Sequence, residues 1–411
     1  MERPNILWLE SLSSRGIRPG LDNIRGLLAA LGDPQKGLRT VHVAGSDGKG
    51  SVCCMLESIL RSAGYRTGMF TSPHILRVNE SVRIDGEDIS DVLLDGYLSK
   101  VREASSDSGI ECTNFEALTA CALLAFRTEN VDIAIVEVGM GGRLDATNVV
   151  EPEVTVINGI SLEHTRYLGP DIASIASEKA GIMKAGVPCV TANTGEALKV
   201  IEDRAEELSC PLTVVDRDDV TVTELASDHT AVRYGCSTYR IGIPGSYQGC
   251  NAAVAVEAVR LLRDADRIIQ FIPIGLDSAN WPVRMEKIDG FPLIVDGTHT
   301  RKGAEYLAKD IPLIYGKVVL VTAMLEDKDL EGVAEILSGI ATEVLVSAPD
   351  SPRAADPEAL ASHYRKHHSK VTVCGSIGEA VEQALKKDGY ILVTGSFRTA
   401  EECLRWLKAR R

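Results

Sequence analysis

The 411-residue chain has no run of 18 apolar residues, so no segment is long enough to span a bilayer as a helix. Its opening residues, MERPNILWLESL, carry charge and lack the apolar core of a signal peptide, which argues against export. Ten cysteines, at 53, 54, 112, 121, 189, 210, 236, 250, 374 and 403, form no C-x-x-C pair. Most lie in apolar segments, where a thiol behaves as a small hydrophobe, so a reduced, zinc-free, cytoplasmic protein is expected. Basic residues are also in deficit: 44 Lys and Arg stand against 58 Asp and Glu, a formal net charge of −14. Phosphate neutralisation needs clustered cations, so no nucleic-acid partner is expected, and no membrane. An anionic substrate must then find a local cationic site. Internal repeats and low-complexity tracts are missing as well.

What is present centres on VHVAGSDGKGSV, Val41 to Val52. Val41–Val43 reads as a short buried strand. Gly45 to Ser51 is a glycine-rich turn, and Val52, Met55, Leu56, Ile59 and Leu60 then recur at helical spacing until Gly64. In a strand–loop–helix, backbone N–H groups and a helix N-terminus cradle phosphate. Here Lys49 is placed to neutralise β/γ-phosphates and Ser51 to reach a Mg²⁺. The spacing G-x-x-G-K-G-S differs from the common G-x-x-x-x-G-K-[ST].

Length favours two domains. Residues 1–40 read as helical, and Thr67–Phe70 as a second strand ending in Thr71-Ser72-Pro73. Ser72 is either an ordinary loop serine or a site residue at a strand's carboxyl end. Residues 75–111, polar and turn-rich, read as a loop over a substrate. Glu116–Phe126 is a buried helix capped by Thr113 or Asn114. Val131–Val138 is a central strand whose last acid, Glu137, opens onto a Gly-rich loop; such an acid is costly unless paired or metal-bound. After a third strand at Val154–Asn158, His164 is a metal ligand or a hydrogen-bonded loop histidine. Lys179, on an amphipathic helix, would ordinarily be solvated. Strand–helix alternation to about residue 200 implies a mostly parallel sheet. Residues 201–245 form a small β-rich patch, Trp281-Pro282 marks a boundary, and the βα rhythm resumes beyond it. The expected architecture is α/β: a P-loop-type domain over residues 1–280 and a smaller Rossmann-like α/β domain over 281–411.

Ser72-Pro73-His74, Phe115-Glu116, the stretch Glu137 to Asn148 (EVGMGGRLDATN), His164 with Leu168-Gly169, and Glu178-Lys179-Ala180-Gly181-Ile182 occur in one order. Gln248 with Asn251-Ala252, Trp281-Pro282 with Arg284, Asp296-Gly297 with His299, Asp327-Lys328-Asp329 and Gly395-Ser396 continue it. Together with the phosphate loop, these resemble the folylpolyglutamate synthase/dihydrofolate synthase family of the Mur ligase superfamily, nearly end to end. The resemblance implies an ATP-dependent, ADP-forming ligase of folate biosynthesis, usually monomeric, that adds L-glutamate to a pterin or folate carboxylate. It implies ATP contacts from Ser46, Asp47, Gly48, Lys49, Gly50, Ser51, Asn251, Arg284 and Asp296. It implies two Mg²⁺ ions, held by Ser72 and Glu137 and by His164 with Lys179 as its carbamate. Lys49, Lys179 and His164 would serve the chemistry. Phe115, Glu116, Leu144, Asp145, Ala146 and His299 would border the substrates.

The chain also departs from the family pattern. Ser46-Asp47 replaces Thr-Asn, Glu163 replaces Asp, Tyr247 replaces His, Val283 replaces Gly, Thr298 and Thr300 flank His299, and Ser81 stands where Arg is common. The phosphoryl-transfer core is kept while positions near both substrates drift. An amino-acid ligase acting on a modified pterin or a non-folate carboxylate is therefore the second reading. A catalytically silent nucleotide-binding relative is the third.

Overall fold

β-Branched runs followed by helical stripes assemble into three sheets in a computed structural model, which describes residues 3–410. The chain divides into two units: one runs to Val220 and resumes over Cys250–Ala279, and the other comprises Thr221–Gly249 and the residues from Asn280 on. Among the described residues no helix is long and apolar enough to cross a membrane.

The first unit holds β1 (Thr40–Ala44), β2 (Thr67–Phe70), β3 (Val82–Ile84), β4 (Glu87–Asp88), β5 (Ile133–Glu137), β6 (Val154–Ile157), β7 (Cys189–Thr191) and β8 (Leu212–Val214). They form one sheet in the order β4-β3-β2-β5-β1-β6-β7-β8. The run from β2 to β8 is parallel, and only the β4-β3-β2 edge is antiparallel. β1, β5 and β6 are buried along their whole length, as expected of strands covered by helices on both faces. Val43 lies beside both Glu137 and Val156, so the carboxyl ends of β1, β5 and β6 are level. The phosphate loop, the Gly-rich loop after Glu137 and the loop to His164 therefore leave the sheet at one edge, where ligands bind in open α/β sheets.

Residues 75–111 depart from the expected loop. They contain a 3₁₀ turn at Val78–Ser81, the strands β3 and β4, and a helix over Asp91–Ser108. The Glu80 carboxylate accepts the backbone N–H groups of Ile75, Leu76 and Arg77, which orders the polar stretch. Ser90 caps the helix, and Leu94, Tyr97, Leu98 and Val101 form its buried stripe. A polar composition concealed this four-residue stripe.

In the second unit, β9 (Val220–Leu225), β10 (Thr230–Tyr234) and β11 (Ser237–Ile241) form a three-stranded sheet. β12 (Glu286–Lys287), β13 (Leu293–Val295), β14 (Val318–Thr322), β15 (Ala341–Val346), β16 (Val371–Val373) and β17 (Ile391–Thr394) form a mixed sheet in the order β12-β13-β17-β14-β15-β16, parallel except at β12. The β-rich patch, expected inside residues 1–280, is split: residues 201–220, with β8, stay in the first unit, and Thr221–Gly249 groups with this second unit. Local contacts account for that: the Tyr315 hydroxyl donates to Ser227 O, the buried Asp310 accepts the Ser246 N–H at 2.7 Å, and Tyr247 packs on Tyr306. None of these pairings is visible as a pattern along the chain.

Candidate active site

The phosphate loop begins where β1 ends. Gly48 caps the helix Lys49–Ser62 with φ +77°, a conformation costly for any residue with a Cβ. A Cβ there would lie 2.5 Å from both Asn158 Nδ2 and Asn251 Oδ1, which are themselves hydrogen-bonded at 2.9 Å. Asn158 Nδ2 also donates to Asp47 O, so two side chains clamp the loop from behind. The first N–H groups of a helix have no intrahelical acceptor, which leaves this N-terminus suited to anionic oxygens.

Three charged side chains converge beside the loop. Lys49 Nζ and Lys179 Nζ both donate to Gly45 O at 2.9 Å, and Lys179 Nζ donates to Glu163 Oε1 at 2.8 Å. The Lys179 side chain is only 2% exposed. Burial pushes its amine below the ordinary lysine value, against the pull of Glu163 and with the repulsion of Lys49. Burial alone would raise the Glu163 carboxyl, but Lys49 and Lys179 hold it at about 2, so it is ionised. Along the sequence Glu163 stands out only as a substitution; the fold makes it the partner of Lys179.

The proposed metal residues fall into two groups. Glu137, buried at the end of β5, accepts the Ser72 N–H at 3.1 Å. His164 adopts φ +46° and lies 3.9 Å from the Glu163 carboxylate, whose other oxygen pairs with Lys179. Among the described residues no three His, Cys, Asp or Glu side chains form a ready cation site. The hard oxygens of Glu137, Ser72 and Glu163 nonetheless suit Mg²⁺, which keeps most of its waters and takes few protein ligands.

Asp47, the extra carboxylate of this loop, accepts from the Ser161 hydroxyl at 2.9 Å, and Ser46 exchanges hydrogen bonds with the Ser161 backbone. Ser161 and Asn158 were not singled out in the sequence. Both follow β6, whose adjacency to β1 only the sheet order reveals.

The residues expected to border an acceptor also gather in the first unit. Phe115 packs on Phe70 with ring centroids 5.8 Å apart, and Gly139 leaves no room for a Cβ against the Phe115 ring. Glu116 is spent on a capping box: it accepts the Thr113 N–H at 2.7 Å and is buried, so its carboxylate is committed to the helix start. Asp145, flanked by Leu144 and Ala146, accepts from Met140 N, Thr147 N and Thr147 Oγ1.

The expected residues of the second unit form a cluster of their own. Asp296, at the end of β13, accepts the N–H groups of Met285 and Thr298 at 2.9 and 2.8 Å. The Arg284 guanidinium lies over Phe397, 5.0 Å from the ring centroid, and His299 packs on the same ring. Val283, where the family has glycine, adopts φ +58°, a strained value for a β-branched residue.

Two domain models match the chain: the Mur ligase middle domain over residues 43–259, and the Mur ligase glutamate ligase domain over 283–397. A probable bifunctional folylpolyglutamate synthase/dihydropteroate synthase of Haloferax volcanii is 36% identical over 96% of this chain, which spans 49% of that relative. The structure of Escherichia coli FolC in complex with DHPP and ADP shares 32% identity and a TM-score of 0.87, covering 99% of this chain and 98% of that one. A bifunctional folylpolyglutamate synthase/dihydrofolate synthase solved with Mn, AMPPNP and L-glutamate shares 31% identity and a TM-score of 0.84, covering 98% of both chains. The chain belongs to the folylpolyglutamate synthase/dihydrofolate synthase family of Mur ligases.

Proposed function

We propose that the protein is an ATP-dependent, ADP-forming ligase that joins L-glutamate to a pterin- or folate-borne carboxylate through an acyl phosphate. The observation that carries this reading is the convergence of Lys49 and Lys179 on Gly45 O, with Glu163 on Lys179, beside the helix N-terminus of the phosphate loop. A nucleotide-binding module has no need of a second buried lysine held there. The relatives solved with ADP, or with Mn, AMPPNP and L-glutamate, support ATP, a divalent cation and glutamate as its ligands.

A carboxylate and an amine do not condense in water, so the acid must first be activated. The acceptor carboxylate attacks the γ-phosphoryl group and ADP leaves; Lys49 and the helix N-terminus offset the charge on the transferring phosphoryl. Ser72 and Glu137, and His164 with Lys179, would hold Mg²⁺, which supplies further charge neutralisation on the phosphates when bound. The glutamate amine then attacks the acyl carbon and inorganic phosphate leaves. Carbamylation of Lys179 requires its neutral amine, which adds to CO₂ and releases a proton. Burial and Lys49 push the amine in that direction. Phe115, Leu144, Asp145 and Ala146 would border the acceptor. Asn251, Arg284 and Asp296 would contact ATP, and His299 would serve a substrate. We take residues 1–280, apart from the inserted Thr221–Gly249 that groups with the second unit, as the nucleotide domain and 281–411 as the core of the ligase domain, a monomer as the working form, and the cytoplasm as its setting.

One observation favours a different acceptor within the same chemistry. Ser81, where an arginine is common, is buried with its hydroxyl unpaired, so that position offers no cation to an acidic folate tail. The test is turnover with ATP and L-glutamate, offering dihydropteroate, tetrahydrofolate and non-pterin acids separately. Phosphate release and product mass are read together. Glutamylation of a pterin acceptor is the expected result. Turnover of a non-pterin acid alone selects the second reading, and no turnover with any acid overturns both.

A further inference from the structure

His42 lies in the middle of β1, fully buried, three residues before the phosphate loop, and no step above uses it. Its Nε2 is 2.9 Å from Thr147 Oγ1. Thr147 Oγ1 is in turn 2.5 Å from Asp145 Oδ1, which also accepts the Thr147 N–H at 3.0 Å, while Asp145 Oδ2 accepts the Met140 N–H at 2.9 Å. The protons on this chain can be assigned. Burial raises the Asp145 carboxyl above its ordinary value, and the donors from Thr147 and Met140 pull it back; held by two N–H donors, the carboxylate takes the threonine proton as well, so Thr147 Oγ1 has only lone pairs left for His42. The imidazole must therefore donate from Nε2–H, which leaves Nδ1 bare. Nδ1 is indeed buried without a hydrogen-bond partner. The reverse orientation would protonate Asp145 and bury an unpaired N–H, a rarer and costlier defect than an unpaired lone pair. Burial, with Lys184 nearby, lowers the His42 pKa to about 3, in keeping with a permanently neutral ring.

We propose that His42 is a positioning residue for acceptor binding. Through Thr147 it fixes the rotamer and ionisation of Asp145, and Asp145 in turn holds the loop at Met140 and the turn Ala146–Val149. This rests on the reading that Leu144 to Ala146 border the acceptor. It assigns to a strand residue the task of shaping the acceptor side of the site. A glutamine at 42 carries an amide N–H that can replace Nε2–H, whereas phenylalanine fills the space without a donor.

The test compares His42→Gln, His42→Phe, Thr147→Ser and Thr147→Val in the full chain. His42→Phe and Thr147→Val are expected to raise the acceptor KM about tenfold with the ATP KM within twofold, and His42→Gln and Thr147→Ser to recover most of the loss. If His42→Phe does not fold, the Thr147 pair makes the same comparison. Equal rises in both KM values, or Gln no better than Phe, would mean a merely structural role and would overturn the proposal. Nitrogen-15 NMR of the histidines gives a readout independent of turnover. A neutral Nε2–H tautomer for His42, unchanged from pH 5 to 9 and perturbed by Thr147→Val, is expected. A charged ring or an Nδ1–H tautomer overturns the inference even if no acceptor is ever turned over. Lack of wild-type turnover with every acid would instead sink the function above.

Discussion

Replacing Asp47 by asparagine should tighten nucleotide binding. The phosphate loop of this protein sits among two lysines, Lys49 and Lys179, and three carboxylates, Asp47, Glu163 and Glu137, so the local balance is −1 where a polyanion must bind. A carboxylate about 6 Å from a phosphate costs roughly 3 kcal/mol at an effective dielectric of 20. Asp47 is only partly buried, and solvent screening brings the expected gain down to about 1–2 kcal/mol, or roughly 5- to 30-fold in affinity. Asparagine keeps an oxygen for the Ser161 hydroxyl, so the loop anchor at 2.9 Å survives the change. The assay is ADP binding by calorimetry, without added divalent metal and at low salt, where the effect is largest, then with Mg²⁺ and at high salt, where it should shrink. Ser161→Ala, which removes the hydroxyl but not the charge, serves as the control and should not tighten binding. Unchanged or weaker ADP affinity in Asp47→Asn under metal-free, low-salt conditions would refute the electrostatic reasoning.

Gly48→Ala forces a left-handed φ on a residue with a Cβ, costing about 1–2 kcal/mol, and breaks the Asn158–Asn251 clamp; the ATP KM should rise more than tenfold, and a value within twofold of wild type would count against the loop's role. Lys179→Ala should lower ligase turnover about a hundredfold or more while the protein stays folded; a fully active variant removes Lys179 from the chemistry. Asp264 accepts from both nitrogens of an Arg39 guanidinium edge, at 2.7 and 3.1 Å, and from the Tyr65 hydroxyl, and Arg39 holds its carboxyl at about 2 against an ordinary 3.8. Because the folded pKa is the lower one, this stability is present above about 3.8 and lost as pH falls towards 2. Its size is about 2 kcal/mol, nearer 1 after solvent screening. Asp264→Asn should therefore lower the melting temperature at pH 7 and have only about a third of that effect at pH 2.5, as read by thermal denaturation at both.

What the sequence made legible and what it did not divide along a physical line. Strand and helix periodicity belong to neighbouring residues, so β1, β5, β6 and the five parallel strands of the mixed sheet could be placed from their own residues. The Gly-rich turn before Lys49 declared its chemistry for the same reason: positive φ and a helix start are local demands, met at Gly48. The partners within the site are not local. Lys179 finds Glu163 across 16 positions, Asp47 finds Ser161 across 114, and His42 finds Thr147 across 105. The last two pairings exist because β1 lies between β5 and β6, an order the chain visits as first, fifth and sixth. A side chain at the carboxyl end of β1 therefore meets loops from two later strands, and its meaning depends on which residues those loops bring. Lys179 alone reads as a solvated helix lysine; only the loop after β6 supplies the acid that makes burying it tolerable. The same reasoning bears on Glu116: the family resemblance sets it beside the substrate, while the threonine three residues earlier engages its carboxylate in a helix cap. Where a polar residue has a capping partner three positions away, that local claim should be weighed before any functional one.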